Sequence, residues 1–442
     1  MGPSNIVGRA EEIGRFSQAI EDATEGRGSV WFLSGESGIG KSRLAEEVGR
    51  LARERGMRTF WGRCWEAGGA PAYWPWVQVL RAVLRTAEPG QVEPHLAAMS
   101  QILPELPGGD ATPAMEGLRP EQARFRLMDA VSNVLADAAQ RVPIVVVLED
   151  LHVADVSTAL LLDFLSGTVR HQPLLLLGTF REAELASAAA GPQLVRTVQQ
   201  SERIALQRLS EDDVASFLRA SGEAADPSFV RALHETSEGH PLFLVEVAQL
   251  WRSQGRAPAS GRPAIPQSVR MVIRERLATV SEECIETLRR GAVVGREFDI
   301  GLLESCYGDA ATRDGDAAQE ATEAALLVEV APQRYRFVHF LIRELVYDEI
   351  PDAERADSHG RLARHLRDRP RDGEPSWPEV AHHLVAAGQC AEATDAYRES
   401  GQLALRQLAF DEAVQAYVAA LRAADKVAQL DSRERAALLL EL

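Results

Sequence analysis

Val30-Trp31-Phe32-Leu33-Ser34-Gly35-Glu36-Ser37-Gly38-Ile39-Gly40-Lys41-Ser42 is the stretch on which the reading of this chain turns. An apolar run, a turn holding three glycines, and then a segment of helical spacing predict a buried strand that feeds a helix through a tight loop. Residues 35–42 fill every fixed position of the pattern G-x-x-x-x-G-K-S. In such a loop the glycines let the backbone curl so that successive N–H groups turn inward, and the helix that opens at Lys41 adds the positive end of its dipole. The candidate phosphate-binding set is therefore Gly35, Glu36, Ser37, Gly38, Ile39, Gly40, Lys41, Ser42 and Arg43. Lys41 supplies a point charge to the β- and γ-phosphates, and the Ser42 hydroxyl is placed to ligate Mg²⁺. Composition agrees: Lys41 and Lys426 are the only lysines among 48 basic residues, so a chain that otherwise uses arginine keeps lysine where the motif requires it.

The rest of the composition bounds the function. At 442 residues the chain exceeds what one hydrophobic core serves and should divide into several units. Hydrophobic residues at 45% and charged residues at 26% are ordinary for globular proteins. No run of eighteen apolar residues occurs, and Met1-Gly2-Pro3-Ser4-Asn5 lacks the plan of a signal peptide, so a cytoplasmic protein without membrane spans is expected. Cys64, Cys284, Cys306 and Cys390 lack metal-ligand spacing and read as reduced thiols. A net charge of −17 repels nucleic acid, and no basic stretch offsets it.

Outward from the loop, Asn5-Ile6-Val7-Gly8-Arg9 precedes a helix with Ile13, Phe16 and Ile20 at helical spacing. Residues 58–65 read as a second strand, followed by Tyr73, Trp74 and Trp76 among prolines, which suit a core edge better than base stacking. Ile144-Val145-Val146-Val147-Leu148-Glu149-Asp150 is a continuous apolar run ending in two acids, as expected of a buried parallel strand with carboxylates at its C-terminal edge. Ligands bind at that edge in open α/β sheets. Phosphoryl chemistry needs one acid for Mg²⁺ and one to orient or deprotonate water. Glu149 is assigned to the metal and Asp150 to the water, the two roles being interchangeable on this pattern. Asp155 reads as an N-cap. Leu174 to Arg181 is another buried strand, and Arg181 is either a sensor of the γ-phosphate or a salt-bridged surface residue.

Beyond Leu209 helices dominate. Gly239-His240-Pro241 breaks the pattern, residues 251–266 read as a linker, and Leu326–Val330 with Tyr335–His339 read as a hairpin behind three helices, which suggests a winged helix. Ala391–Tyr397 recurs as Asp411–Tyr417, the start of a tetratricopeptide-like array, although the twenty-residue offset differs from the usual period. The closing segment Ala436–Leu442 ends on leucines without a cap, which suggests a chain cut from a longer protein.

In this order the pieces resemble the signal-transduction ATPases with numerous domains (STAND), and among them the large ATP-binding regulators of the LuxR type. The likeness rests on Val7-Gly8-Arg9, Gly35 to Ser42, Leu148 to Asp155, Gly178-Thr179-Phe180-Arg181, Gly239 to Phe243, Ile265 to Val269, and Arg336 to His339. It implies an α/β P-loop NTPase with a parallel sheet flanked by helices (1–206), a helical lid (207–260), a winged-helix domain (261–352) and α-helical TPR-like repeats (353–442). It also implies a slow regulatory ATPase, closed around ADP and opened by ATP with Mg²⁺, whose output is transcriptional. By the same resemblance Arg9 and Pro241 lie near the adenine and His339 touches the β-phosphate. Val153 stands where such regulators often have Trp, and Glu149 where Asp is more frequent. The partners implied are an adenine nucleotide, an inducer or protein on the repeats, further copies of the chain assembling with ATP, and DNA only through a C-terminal domain outside this sequence. The alternatives are the same ATPase joined to a cyclase or kinase, or a motor or loader ATPase acting on nucleic acid.

Overall fold

The structure is a computed structural model. It describes residues 6–65, 69–86, 93–106, 119–186, 188–222, 226–245, 248, 273–274, 276–308, 313–368 and 375–426. The linker at 251–266, the block Ile265–Val269 and the segment Ala436–Leu442 lie outside these residues. The chain forms two compact units: the described residues up to Gln207 with Tyr397–Arg422, and Arg208–Ala396 with those from Ala423.

In the first unit, α1 (Ala10–Thr24) leads into β1 (Ser29–Ser34), the glycine loop and α2 (Lys41–Glu54). There follow β2 (Arg58–Arg63), α3 (Trp74–Leu84), α4 (Pro120–Arg141), β3 (Ile144–Glu149), α5 (Val156–Thr168), β4 (Leu174–Phe180), α6 (Gly191–Gln199) and β5 (Glu202–Ala205). The five strands form one parallel sheet in the order β2-β3-β4-β1-β5. Every residue of β3 and β4 is buried, which is why both read as unbroken apolar runs. On one face, Trp31, Leu33, Val145, Val147, Leu175 and Leu177 pack with Phe16 and Ile20 of α1 and Leu44 and Val48 of α2. The second strand and the apolar strands fall where the sequence predicts. β5 was not anticipated, since Glu202-Arg203-Ile204-Ala205 buries only Ile204.

Tyr73 and Trp76 are fully buried, and the Trp76 indole donates to the Thr158 carbonyl oxygen at 3.1 Å, so these aromatics serve the core. Two more helices, α15 (Cys390–Arg406) and α16 (Phe410–Ala424), follow late in the chain. The matching segments Ala391–Tyr397 and Asp411–Tyr417 open these consecutive helices, so the twenty-residue offset is a helix-to-helix spacing. A Cβ added at Gly401 would lie 2.7 Å from the Tyr417 ring, which explains a small residue opposite the aromatic one.

The second unit opens with α7 (Glu211–Ala220) and α8 (Pro227–Ser237), which share a core of Leu209, Val214, Leu218, Val230, Leu233 and Leu244. Ser210 caps α7 by accepting from the Asp213 amide while Asp213 accepts from the Ser210 amide. Then come α9 (Glu282–Val294), β6 (Glu297–Asp299), α10 (Ile300–Tyr307), α11 (Asp314–Glu323), β7 (Leu327–Ala331), β8 (Arg334–Phe337), α12 (Phe340–Asp348), α13 (Asp352–Asp368) and α14 (Trp377–Ala386). The hairpin is there, with Gln333 at φ 61° in its turn, and β6 adds a third antiparallel strand in the order β6-β8-β7. The strand expected to run to His339 stops at Phe337, because the His339 side chain caps α12.

Candidate nucleotide-binding site

The loop between β1 and α2 has the conformation its glycines allow. Gly35, Gly38 and Gly40 have φ of 147°, 77° and 106°, in the region that side chains with a Cβ avoid. Gly40 occupies the N-cap position of α2 and brings no capping side chain, so the helix opens on the glycine loop itself. Lys41 is buried, and its ammonium donates to the carbonyl oxygens of Gly35 at 2.9 Å and Glu36 at 2.8 Å. The charge thus sits inside the ring of backbone that it would share with a phosphate. Arg9, also buried, donates from Nη2 to the carbonyl oxygens of Ile39 (3.3 Å) and Gln207 (2.6 Å). It therefore ties the start of the chain to the glycine loop.

At the same sheet edge, Glu149 follows Val145 and Val147 in alternation, which puts it on the face covered by α2. Its register partner on β2 is Arg63, whose Nε donates to Glu149 Oε2 at 3.0 Å and whose Nη2 donates to the same oxygen. Glu149 Oε1 is buried without a hydrogen-bond partner. A buried carboxylate oxygen in that state suits a cation, and the charge nearby agrees: the buried Cys64 thiol is pushed up first by desolvation and then by Asp155, Asp150 and Glu149. Asp150 has a left-handed backbone at φ 60°, and its amide donates to Thr179 Oγ1 at 3.1 Å. A left-handed aspartate ends the strand and turns the chain toward α5.

Arg181 donates to Glu184 Oε1 at 3.0 Å, and Glu184 Oε2 lies 3.5 Å from His152 Nε2. Of the two readings of Arg181, the salt-bridged one has a partner in the structure. Pro241 and His339 belong to the second unit. Gly239 before Pro241 has φ 68°, and its carbonyl accepts from the Leu209 amide at 2.7 Å; His339 Nδ1 accepts from the Leu341 amide at 3.3 Å. Two residues of the first unit escaped the sequence reading. Thr179 carried a signal as a polar residue in an apolar strand; Arg63 carried none, because only the strand register pairs it with Glu149.

A model of the AAA ATPase domain matches residues 5–177, a span that holds Arg9, the glycine loop, Glu149 and Asp150. Residues 5–177 are thus similar to AAA ATPase domains. An uncharacterized protein of Rhizobium meliloti (strain 1021) is 26% identical over 98% of this chain and 44% of its own length. The crystal structure of a STAND protein with a tetratricopeptide repeat sensor from Pyrococcus horikoshii aligns over 98% of this chain and 60% of that one, at 13% identity and TM-score 0.55. The ORC2 protein of Aeropyrum pernix, solved as ADPNP and ADP complexes, aligns over 82% of this chain and 96% of that one, at 16% identity and TM-score 0.38. The likeness to the STAND structure shows the fold, a P-loop ATPase sheet followed by helices. The chain spans less than half of the curated relative and 60% of the STAND structure. Among the described residues no helix is long and apolar enough to cross a membrane.

Proposed function

We propose that the AAA ATPase domain binds ATP and ADP and hydrolyses ATP slowly, and that this turnover sets a regulatory switch. The observation that carries the reading is the pairing of the glycine loop and its buried Lys41 with two buried acids, Glu149 closing β3 and Asp150 just after it, at the same sheet edge. The α2 amides and the Lys41 ammonium would hold the β- and γ-phosphates, Lys41 exchanging the Gly35 and Glu36 carbonyls for phosphate oxygens. Mg²⁺, when bound to Ser42 and Glu149, would neutralise charge that develops on the phosphate oxygens. Asp150, held by Thr179, orients the attacking water and takes its proton. Arg181 would have to leave Glu184 to sense the γ-phosphate.

The likeness to STAND proteins supports the wider reading: nucleotide-binding domain to residue 206, helical lid to 260, winged helix to 352, then TPR-like repeats, with Pro241 near adenine and His339 at the β-phosphate of the ADP-bound form. The ligands would then bias two states by contacting them differently. An inducer or protein on the repeats and ATP-dependent self-association fit this scheme, as does a cytoplasmic location, with DNA reached only through a further domain. A LuxR-type transcriptional output rests on the sequence resemblance alone.

Calorimetry tests the core of the reading. Lys41→Ala should weaken ADP binding about 10- to 100-fold, the equivalent of one charged hydrogen-bond set of about 1.5–3 kcal/mol. Unchanged affinity would refute it. A switch should also leave purification with ADP bound and turn over slowly without stimulation by DNA.

A further inference from the structure

The first turn of α5 carries two carboxylates where one would serve. Asp155 is the ordinary N-cap: Oδ1 accepts from the Thr158 amide at 2.7 Å, and Oδ2 from the Thr158 hydroxyl at 2.6 Å. The second comes from α16. Glu412 Oε1 accepts from the Ser157 amide at 3.1 Å and Oε2 from the Ser157 hydroxyl at 2.7 Å, a two-point contact on a fully buried serine. Phe410, two residues earlier, has the Arg124 guanidinium of α4 at 5.8 Å from its ring centre.

Local capping does not explain Glu412. Asp155 already ends the helix, and a second acid beside it adds like-charge repulsion; the Asp155 carboxyl is pushed up to about 6, first by burial and then by Glu412. The segment between Asp150 and α5 has little slack. It is a 3₁₀ turn in which the Val153 amide donates to the Asp150 carbonyl at 3.0 Å and the Ala154 amide to the Leu151 carbonyl at 3.1 Å, with Leu151 buried. A shift of the first turn of α5 is therefore felt at Asp150.

We propose that Glu412 is a positioning residue, a clasp by which α16 fixes the first turn of α5 and, through it, the placement of Asp150 for hydrolysis. The second half of this statement rests on the ATPase reading above; the first does not.

The test uses the full chain with Glu412→Ala and Glu412→Gln, the latter keeping one acceptor. Amide hydrogen exchange should rise about tenfold at residues 156–159 as well as 410–424 in Glu412→Ala, and by less in Glu412→Gln. The kcat for ATP should fall about tenfold in Glu412→Ala with KM unchanged, because positioning is lost and binding is kept. Exchange at 156–159 that stays at the wild-type rate overturns the clasp whatever the nucleotide does. Faster exchange there with an unchanged kcat overturns the link to Asp150 and leaves a structural contact. If the wild type binds no nucleotide, the ATPase reading fails, and the exchange result alone decides the clasp.

Discussion

Asp155 shows how far a single residue can be read. Its place ahead of Val156-Ser157-Thr158 marks an N-cap, and the side chain makes that contact. The proton it holds depends on burial and on Glu412, which no local pattern announces. With a folded pKa raised to about 6, the neutral acid is favoured in the native state. The stability this gives is complete in acid and is lost as pH rises toward 6. Asp155→Asn keeps a good cap and cannot ionise, so between pH 5 and 7 its stability should rise relative to the wild type by about 1 kcal/mol. Urea denaturation across this range checks it, and parallel curves for the two proteins would contradict the pairing. The same divide separates the other site residues. Lys41, Glu149 and Asp150 could be singled out because their pattern lies in sequence neighbours. Arg63 was not, because its partner Glu149 is a neighbour only across the sheet.

At the scale of elements, burial decided what could be seen. β3 and β4 are covered on both faces and spell their own existence in valine and leucine, whereas β5 and the three-residue β6 are short and mostly polar, so only strand pairing defines them. Helix contacts hide chemistry in a similar way. Where α13 meets α14, His359 Nε2 lies 2.8 Å from the Tyr347 hydroxyl and His359 Nδ1 lies 2.7 Å from His383 Nδ1. Nδ1 facing Nδ1 needs one ring to donate and the other to accept, so the pair cannot hold with both imidazoles charged, and neutral rings satisfy both contacts with the tautomers setting the direction. Burial lowers His359 to about 4, helped by the charges of His382, Arg343 and Arg355, and His383 is lowered well below the usual value by burial and by His359. The stability due to these neutral rings is complete above about pH 6.5 and is lost as pH falls toward 4. We expect a far-UV signal from these helices to melt more readily at pH 5 than at pH 7. His359→Gln, which cannot charge, should cost about 1 kcal/mol at neutral pH and flatten that dependence. Acid sensitivity that survives undiminished in both His359→Gln and His383→Gln would place its origin elsewhere.

For the molecule as a whole, the switch reading makes a demand that the AAA ATPase domain alone does not meet: nucleotide must touch groups of both units, Lys41 in the first and Pro241 and His339 in the second. Linkage makes this measurable. A ligand that binds only the native state stabilises it by about 2.7 kcal/mol at a hundredfold excess over Kd. For a unit of some two hundred residues that raises the melting temperature by roughly 5–10 °C. If ADP engages the first unit only, calorimetry should show that rise in the transition of the first unit, with any melting of the second unit left in place. If His339 and Pro241 close on the nucleotide, both units should gain, and they should merge toward one transition. His339→Ala should then return the second unit to its nucleotide-free melting temperature while the first keeps most of its gain, and Lys41→Ala should shrink both by half or more. Should ADP leave the second unit indifferent in the wild type, nucleotide binding would stand and the switch would fall, because a ligand without differential contacts cannot move an equilibrium between two arrangements.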